Sequence, residues 1–237
     1  RMAASFGYFE LNVHAPFYNK INEVLHLNTE EFYNDYIKNP VLRDRMGFID
    51  SLVNDPDDLV SLGCFSLIEG AVLYSSFAFL KHFQTKGKNK LLNVVRGINF
   101  SVRDENLHCV AGSWLYRTLR DEKLRELPSY QSVIESGVER IIEASRTIYD
   151  HECQIVDMIF EKGDIEGITS EEMKTFIRGR INLCLSHLGI EQVFDCKNDR
   201  VSEWFYDSIN AISFNDFFSG VGNQYNRNWD QTGFTWS

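Results

Sequence analysis

A long apolar stretch that carries a single acidic side chain constrains this chain more than any other feature of its sequence. The run from Leu59 to Phe83 is almost entirely apolar, and Glu69 is the one acid within it. Burying an unpaired carboxylate costs at least several kcal/mol. An acid at this position therefore needs a cation, a hydrogen-bonding partner or a raised pKa.

A second apolar segment, from Phe100 to Cys109, combines an acid with an imidazole. Its sequence FSVRDENLHC sets Glu105 and His108 three residues apart, which in a helix places both side chains on one face. A Glu-x-x-His pair alone is weak evidence for a metal site, because the same spacing is common on solvated helix faces.

The first predicted helix adds another acid and another imidazole. Glu10 and His14 lie four residues apart and share a face, and Tyr18 follows one turn later. Three helices thus offer three glutamates and two histidines. Facing helices of di-metal bundles supply these residue types to a buried site.

Composition narrows the class of protein. The 237 residues suffice for one large domain, and 43% hydrophobic residues with only 4 prolines favour a globular helical core. A net charge of −10 without a long basic run argues against a nucleic-acid partner. Polar residues interrupt the apolar run between Leu59 and Leu80, which predicts a core helix rather than a membrane span. Five scattered cysteines fit reduced thiols in the cytoplasm, and no signal peptide is evident.

The hydrophobic pattern predicts helices throughout and no strand. Residues 3–25 form one helical pattern, and Pro16 predicts a kink or π-bulge between Asn12 and Pro16. The chain begins inside this pattern without a cap, so we expect further residues before Arg1. Capping residues and breaks predict the other helices at 29–38, 41–54, 55–87, 91–121, 127–162 and 169–189.

Long helices with inward acids and imidazoles predict an all-α, ferritin-like helical bundle with a buried di-metal carboxylate site. We expect residues 1–214 to form this domain. Residues 215–237 are polar and aromatic without helical period, which predicts a flexible C-terminal tail.

Four segments resemble the small, radical-generating subunit of class I ribonucleotide reductase. They are Ile68-Glu69-Gly70, the run from Ser76 to Phe79, the run from Val102 to Cys109, and Asn12-Val13-His14 followed by Tyr18. The resemblance covers about residues 5 to 190. It implies an oxidoreductase whose di-metal centre activates dioxygen or uses another oxidant. The tyrosyl radical so formed is passed to a large catalytic subunit, which reduces ribonucleotides to deoxyribonucleotides.

The resemblance also implies residue roles. Two Fe or Mn ions, as Fe/Fe, Mn/Mn or a mixed pair, would be held with bridging or flexible Glu69 and Glu105. Tyr18 would carry the radical and Asp104 would hydrogen-bond the first-helix histidine on the radical route. The remaining implied roles are metal ligation by Glu10, His14 and His108, and a wall around the radical made by Leu73 and Phe77.

Assembly and location follow from the same resemblance. It implies a cytoplasmic homodimer whose tail docks on the large subunit, with Tyr225 as a tail radical relay and Trp229 as a docking residue. The sequence departs from the family at Leu11, which stands where Glu-x-x-His would place its glutamate. The family's first acid ligand and its radical-route tryptophan would both precede Arg1.

Two other functions stay open at this point. A related ferritin-like oxidase would act on its own small substrate and would need an open pocket beside the metals. A metal-free structural or storage bundle would use the same acids as a hydrogen-bonded polar cluster. The other histidines have no acid at ligand spacing and are predicted to be surface or packed residues, namely His26, His82, His151 and His187.

Overall fold

The protein is a helical bundle built around the apolar stretch of the sequence. The computed structural model describes residues 2–197 and 199–207, and within these ranges there is no strand beyond one isolated bridge between Ile165 and Ile168. Helix α5 (Asp58–Ala71) lies at the centre and packs against α7 (Leu92–Glu126), α8 (Gln131–Phe160) and α9 (Ser170–Leu188). The all-α prediction is confirmed.

The first helical stretch contains the predicted irregularity. Helix α1 (Met2–Phe9) passes into a π-helical turn at Glu10–His14, and α2 (Ala15–Val24) follows with Pro16 in its first turn. A proline lacks the backbone donor that a regular helix would need there, and the first turn tolerates that loss. Of the predicted kink or π-bulge between Asn12 and Pro16, the structure has the π-bulge, two residues earlier than predicted at Glu10–His14.

Local capping chemistry fixes several helix starts. The Thr29 side chain accepts from the backbone of Phe32 at the start of α3 (Glu30–Lys38), and Asn39 caps α4 (Pro40–Val53) in the same way. A capping box of Thr169 and Glu172 opens α9, as the sequence predicts. Short 3₁₀ turns at Thr85–Gly87 and Pro128–Tyr130 precede α7 and α8.

The core helix is broken where the sequence predicted continuity. Helix α5 ends at Ala71 and α6 (Tyr74–His82) begins three residues later, so the expectation of one helix from about residue 55 to 87 is wrong. At the break Val72 is extended, and Leu73 has a φ of 74°. A non-glycine residue in this left-handed region costs on the order of 1 kcal/mol, so other contacts must hold the break.

Two buried charges of opposite sign hold the two ends of this break. Arg180 of α9 donates from Nε (3.0 Å) and Nη2 (2.7 Å) to the Gly70 carbonyl at the C-terminal end of α5. Glu152 of α8 accepts from the Ser75 hydroxyl at 2.5 Å and from the backbone N–H groups of Leu73 and Ser75 at the N-terminal end of α6. A cation at a helix C-terminus and an anion at a helix N-terminus both complement the helix dipole.

Each buried charge has further partners. Glu152 Oε1 lies 3.1 Å from Nη1 of Arg45. The Arg180 guanidinium donates to the Tyr206 hydroxyl at 2.6 Å and lies 4.0 Å from the ring centroid of Tyr74. Both charges are thereby compensated inside the bundle, as buried ions require.

The apolar run is a core helix pair. Asp58–His82 is the one stretch among the described residues that is long and apolar enough, by length and composition, to cross a membrane. However, 61% of its apolar window is buried within the protein, and a core helix of a soluble protein passes the same test. Together with the break at Leu73, this agrees with the core helix that the sequence predicts.

The described chain continues beyond α9. Residues 200–207 are helical, and Phe205 is fully buried against the rings of Tyr74 and Phe176. The predicted domain boundary at residue 214 and the tail residues Tyr225 and Trp229 lie outside the described residues.

Candidate metal centre

All five predicted ligand residues come together on three helical segments. The π-turn supplies Glu10 and His14, α5 supplies Glu69, and α7 supplies Glu105 and His108. They form two triplets, Glu10–His14–Glu105 and Glu69–Glu105–His108, within each of which the ligand atoms lie within 4.8 Å of one another. Glu105 belongs to both triplets, which is the arrangement expected of a carboxylate between two neighbouring ions.

The two imidazoles face carboxylates at short range. His108 Nδ1 lies 2.8 Å from Oε2 of Glu69 and 3.0 Å from Oε2 of Glu105. His14 Nε2 lies 3.2 Å from Oδ2 of Asp104 and 3.8 Å from Oε1 of Glu10. Each triplet therefore contains one imidazole nitrogen directed at carboxylate oxygens.

Two buried atoms of the cluster lack hydrogen bonds. His14 Nε2 and Glu105 Oε2 are both buried and find no hydrogen-bond partner among the described residues, although each lies within ion-pair distance of a neighbour. Unsatisfied buried polar atoms are rare in folded proteins, and binding an ion is one way in which such atoms are satisfied. Three carboxylates with only two imidazoles suit iron or manganese better than zinc or copper. The residues present thus fit a pair of such ions.

The pKa values of the cluster show that protons can offset its negative charge. Burial, with the repulsion of Glu69 and Glu10, raises the pKa of Glu105 to about 7 against the opposing effect of the His108 ring 3.0 Å away. Burial disfavours the His108 imidazolium, but the carboxylates of Glu105 and Glu69 outweigh burial and raise its pKa to about 10. Likewise, burial opposes the charged form of His14, and Asp104 with Glu10 still raises its pKa. The cluster attracts positive charge.

The π-turn accounts for the departure from Glu-x-x-His spacing. Leu11, at the expected glutamate position, is 74% exposed, whereas the Glu10 side chain is 49% exposed and its Oε1 lies 3.8 Å from Nε2 of His14. A π-turn adds one residue to the helix, so the glutamate moves one position earlier. Burial raises the pKa of Glu10, which agrees with a place at the edge of the cluster.

Tyr18 and Asp104 lie beside His14. Asp104 Oδ2 lies 3.2 Å from His14 Nε2, so Asp104 stands beside the histidine that the resemblance gives it as a partner, and the hydrogen bond between them stays a prediction. The Tyr18 hydroxyl donates to Oγ of Ser101 at 3.1 Å, and burial raises the pKa of its phenol. Ser101 Oγ in turn lies 3.1 Å from Nδ1 of His14.

Two residues of this neighbourhood were missed by the sequence reasoning. Ser101 precedes Glu105 by four residues and so shares its helix face, a spacing that could have pointed to it. The Phe6 ring lies 4.0 Å from the His108 ring by centroids and packs against it, a contact that the sequence pattern did not predict.

Of the two residues predicted to shield the Tyr18 radical, only Phe77 is buried. Leu73 and Phe77 were expected on one helix face with Glu69, but the break interrupts that face. Leu73 is 42% exposed, so the expectation that it is buried there is wrong. Phe77 is buried and packs edge-on against Tyr74, and its shielding of Tyr18 stays a prediction.

Comparisons with known proteins agree on one family. A family profile described as ribonucleotide reductase, small chain, matches residues 1–200. A probable ribonucleoside-diphosphate reductase small subunit of Invertebrate iridescent virus 3 is 29% identical over 169 residues, or 70% of this chain and 42% of that protein. A ribonucleoside-diphosphate reductase subunit beta of Mycobacterium leprae is 26% identical over 222 residues, or 92% of this chain and 64% of that protein.

A solved structure shows the same fold. Dimanganese(II)-NrdF of Streptococcus sanguinis superimposes with a TM-score of 0.66 and 24% identity, covering 85% of this chain and 68% of the other. The ferritin-like expectation is thereby confirmed. The chain spans only 42% and 64% of the lengths of the viral and mycobacterial relatives. Because the profile covers residues 1–200 of 237, the chain belongs to the ribonucleotide reductase small-chain family.

Proposed function

We propose that this chain acts as the small subunit of a class I ribonucleoside-diphosphate reductase. It holds two Fe or Mn ions, stores a radical on Tyr18 and passes it to a large catalytic subunit that reduces ribonucleotides. The observation that carries this proposal is the pair of triplets sharing Glu105, with Tyr18 joined to the His14 ligand through one serine. Family membership supports the same function.

When bound, the two ions supply the one-electron oxidation after they react with dioxygen or another oxidant. The chain's own residues would hold the ions and orient the ligand side chains. Glu69 and Glu105 would offset the charge of the ions in a largely buried site, and the Asp104 carboxylate beside the His14 ring would help to fix the orientation of that ring. Tyr18 would give up one electron to the oxidised ions and its phenol proton to the reduced oxidant, and the core packed around the ring would keep water away.

Assembly belongs to the same proposal. The chain works as a cytoplasmic homodimer, and its aromatic tail, with Tyr225 as relay and Trp229 as anchor, docks on the large subunit. Large aromatic side chains dominate interface energy, whereas the polar residues between them give a tail no core of its own. The nucleotide binds to the partner.

One cavity bears on the alternative of an oxidase with its own substrate. A cavity of about 280 Å³ opens beside the site, and its lining includes His14, Phe17 and Arg96. It touches only His14 among the five ligand residues and is slightly smaller than the roughly 300–1,000 Å³ typical of ligand pockets. The cavity therefore favours entry of a small oxidant over binding of a larger organic substrate.

Metal analysis and radical spectroscopy test the proposal. The purified full chain, loaded with Fe(II) or Mn(II) and exposed to oxidant, should bind about two ions and show a tyrosyl radical by electron paramagnetic resonance. Glu69→Ala should lose at least one ion, because it removes a carboxylate that offsets their charge. The matched control is Glu122→Ala, which removes an exposed acid from α7.

Tyr18→Phe separates the radical from the metal site. It removes only a hydroxyl, so it should keep fold and metal but lose the radical and nucleotide reduction. Unchanged metal stoichiometry after joint substitution of Glu69, Glu105 and His108 would contradict the metal assignment. A full radical signal in Tyr18→Phe would move the radical to another residue.

A further inference from the structure

A buried serine hydroxyl lies between the Tyr18 phenol and the His14 ring. Ser101 is 1% exposed, its Oγ accepts from the Tyr18 hydroxyl at 3.1 Å, and the same atom lies 3.1 Å from His14 Nδ1. These three side chains come from α2, the π-turn and α7. Ser101 is the α7 residue through which both of the others are joined.

The packing one turn earlier on α7 explains how Tyr18 reaches Ser101. Gly97 lies four residues before Ser101, and a Cβ placed on it would come within 2.0 Å of the Phe17 ring. The absent side chain thus lets Phe17 rest directly on α7. Because Tyr18 follows Phe17, this contact sets the distance at which the phenol meets Ser101.

Serine suits this position chemically. A phenol hydroxyl donates a hydrogen bond, whereas the oxygen of a phenoxyl radical carries no hydrogen and can only accept. A serine hydroxyl both donates and accepts, and its hydrogen rotates freely. It can therefore accept from the phenol and, after oxidation, donate to the same oxygen without movement of heavy atoms.

We propose that Ser101 is the hydrogen-bonding partner of the Tyr18 oxygen in both the reduced and the radical state, and so sets the electronic state of the stored radical. This inference rests on the proposed function for its radical half. The reduced half concerns the phenol alone and stands without metal. In the oxidation step of the proposed function, Tyr18 loses an electron and its phenol proton. Ser101 is the group that the tyrosine oxygen contacts before and after this step.

The reduced half is tested on metal-free protein. Tyr18 is replaced by a ring-fluorinated tyrosine whose phenol ionises near neutral pH, and the ¹⁹F shift reports its ionisation. A serine hydrogen bond favours the phenolate, so Ser101→Ala should raise the phenol pKa further, by about 0.5 to 1 unit for a hydrogen bond of ordinary strength. Glu105 and Glu10, which also raise the phenol pKa, are unchanged in both proteins and cancel in the comparison.

Matched variants separate the contact from general effects on the core. Ser113→Ala removes another buried hydroxyl from α7, twelve residues away, and should leave the ¹⁹F titration unchanged. Ser101→Thr keeps a hydroxyl at the same position and should restore the wild-type value. Equal pKa values in wild type and Ser101→Ala would overturn the inference.

The radical half is tested on loaded protein by high-field electron paramagnetic resonance and deuterium exchange. Wild type should show an exchangeable deuteron coupled to the radical oxygen and a lowered principal g value, and both should be lost in Ser101→Ala at equal metal content. A coupling that persists in Ser101→Ala would overturn this half. If wild type forms no radical at all, the proposed function fails, while the metal-free titration still decides whether Ser101 holds the phenol.

Discussion

Metal loading of this protein should release protons, and the number follows from the charges of the site. His108, with a pKa of about 10, is protonated near pH 7, and Glu105, with a pKa of about 7, is half-protonated there. Ions bind the neutral imidazole and the free carboxylate, so loading near pH 7 should release at least about 1.5 protons, about one from His108 and about 0.5 from Glu105. His14, whose pKa is also raised, adds to the release in the same direction.

The release should depend on pH in a defined way. Near pH 8.5 Glu105 is already ionised, so its share disappears and about one proton remains from His108. Titration calorimetry in buffers of different ionisation enthalpy measures these numbers. Glu122→Gln, an exposed acid on the same helix, is the control and should release as many protons as wild type. A release below about 0.5 proton at both pH values would refute the assignment of His108 and Glu105 as ligands that share a buried site.

Three further outcomes are expected. Metal-free protein should become less stable to urea as pH rises. The raised pKa of His108 contributes stability that is present below about pH 6.5 and is lost as pH rises through about 10. The raised pKa of Glu105 adds a further loss of stability between about pH 4.5 and 7. Equal unfolding midpoints at low and high pH would contradict this. In denaturant unfolding, Glu152→Gln should destabilise the fold by about 3 kcal/mol, because it leaves the buried Arg45 unpaired. The control Glu143→Gln breaks an exposed ion pair on the same helix and should change stability by less than about 1 kcal/mol. Deleting the residues after Asn223 should keep the metal site and the Tyr18 radical but abolish nucleotide reduction with the large subunit; full turnover by the truncated chain would mean that the radical leaves by another surface.

The candidate ligand set could be predicted from the sequence because its signal is local. A lone acid in an apolar run, and acid–imidazole pairs at spacings of three and four, identify Glu69, Glu105, His108, Glu10 and His14. The π-turn was foreseen for the same reason, since Pro16 and the shifted glutamate lie within one turn of it.

The break between α5 and α6 could not be read in this way. Its sequence, Gly70-Ala71-Val72-Leu73, contains no proline, and the contacts that hold it come from Arg180 and Glu152, more than 70 residues further along the chain. Sequence periodicity describes what a segment prefers by itself. It carries no information on which distant charges will stabilise its ends, and the position of Leu73 was wrong for that reason.

The same limit applies to Ser101. Its spacing from Glu105 was visible, but a serine on a helix face has many ordinary explanations. The Phe17 ring packs closely on Gly97, and the neighbouring Tyr18 hydroxyl lies 3.1 Å from Ser101 Oγ. Its role depends on how two helices meet, which no single segment specifies.

The break after Glu69 also affects how motion passes through the bundle. In a continuous helix, the hydrogen-bond ladder would transmit a shift of Glu69 to Phe77 and the residues beyond. Here the ladder stops at Ala71, and α6 is anchored independently through Glu152. Backbone hydrogen bonds therefore do not pass a small movement of the end of α5 that carries Glu69 on to α6. Glu69, as the flexible ligand of the proposed metal site, could therefore adjust when ions bind or leave while the packing of α6 stays fixed.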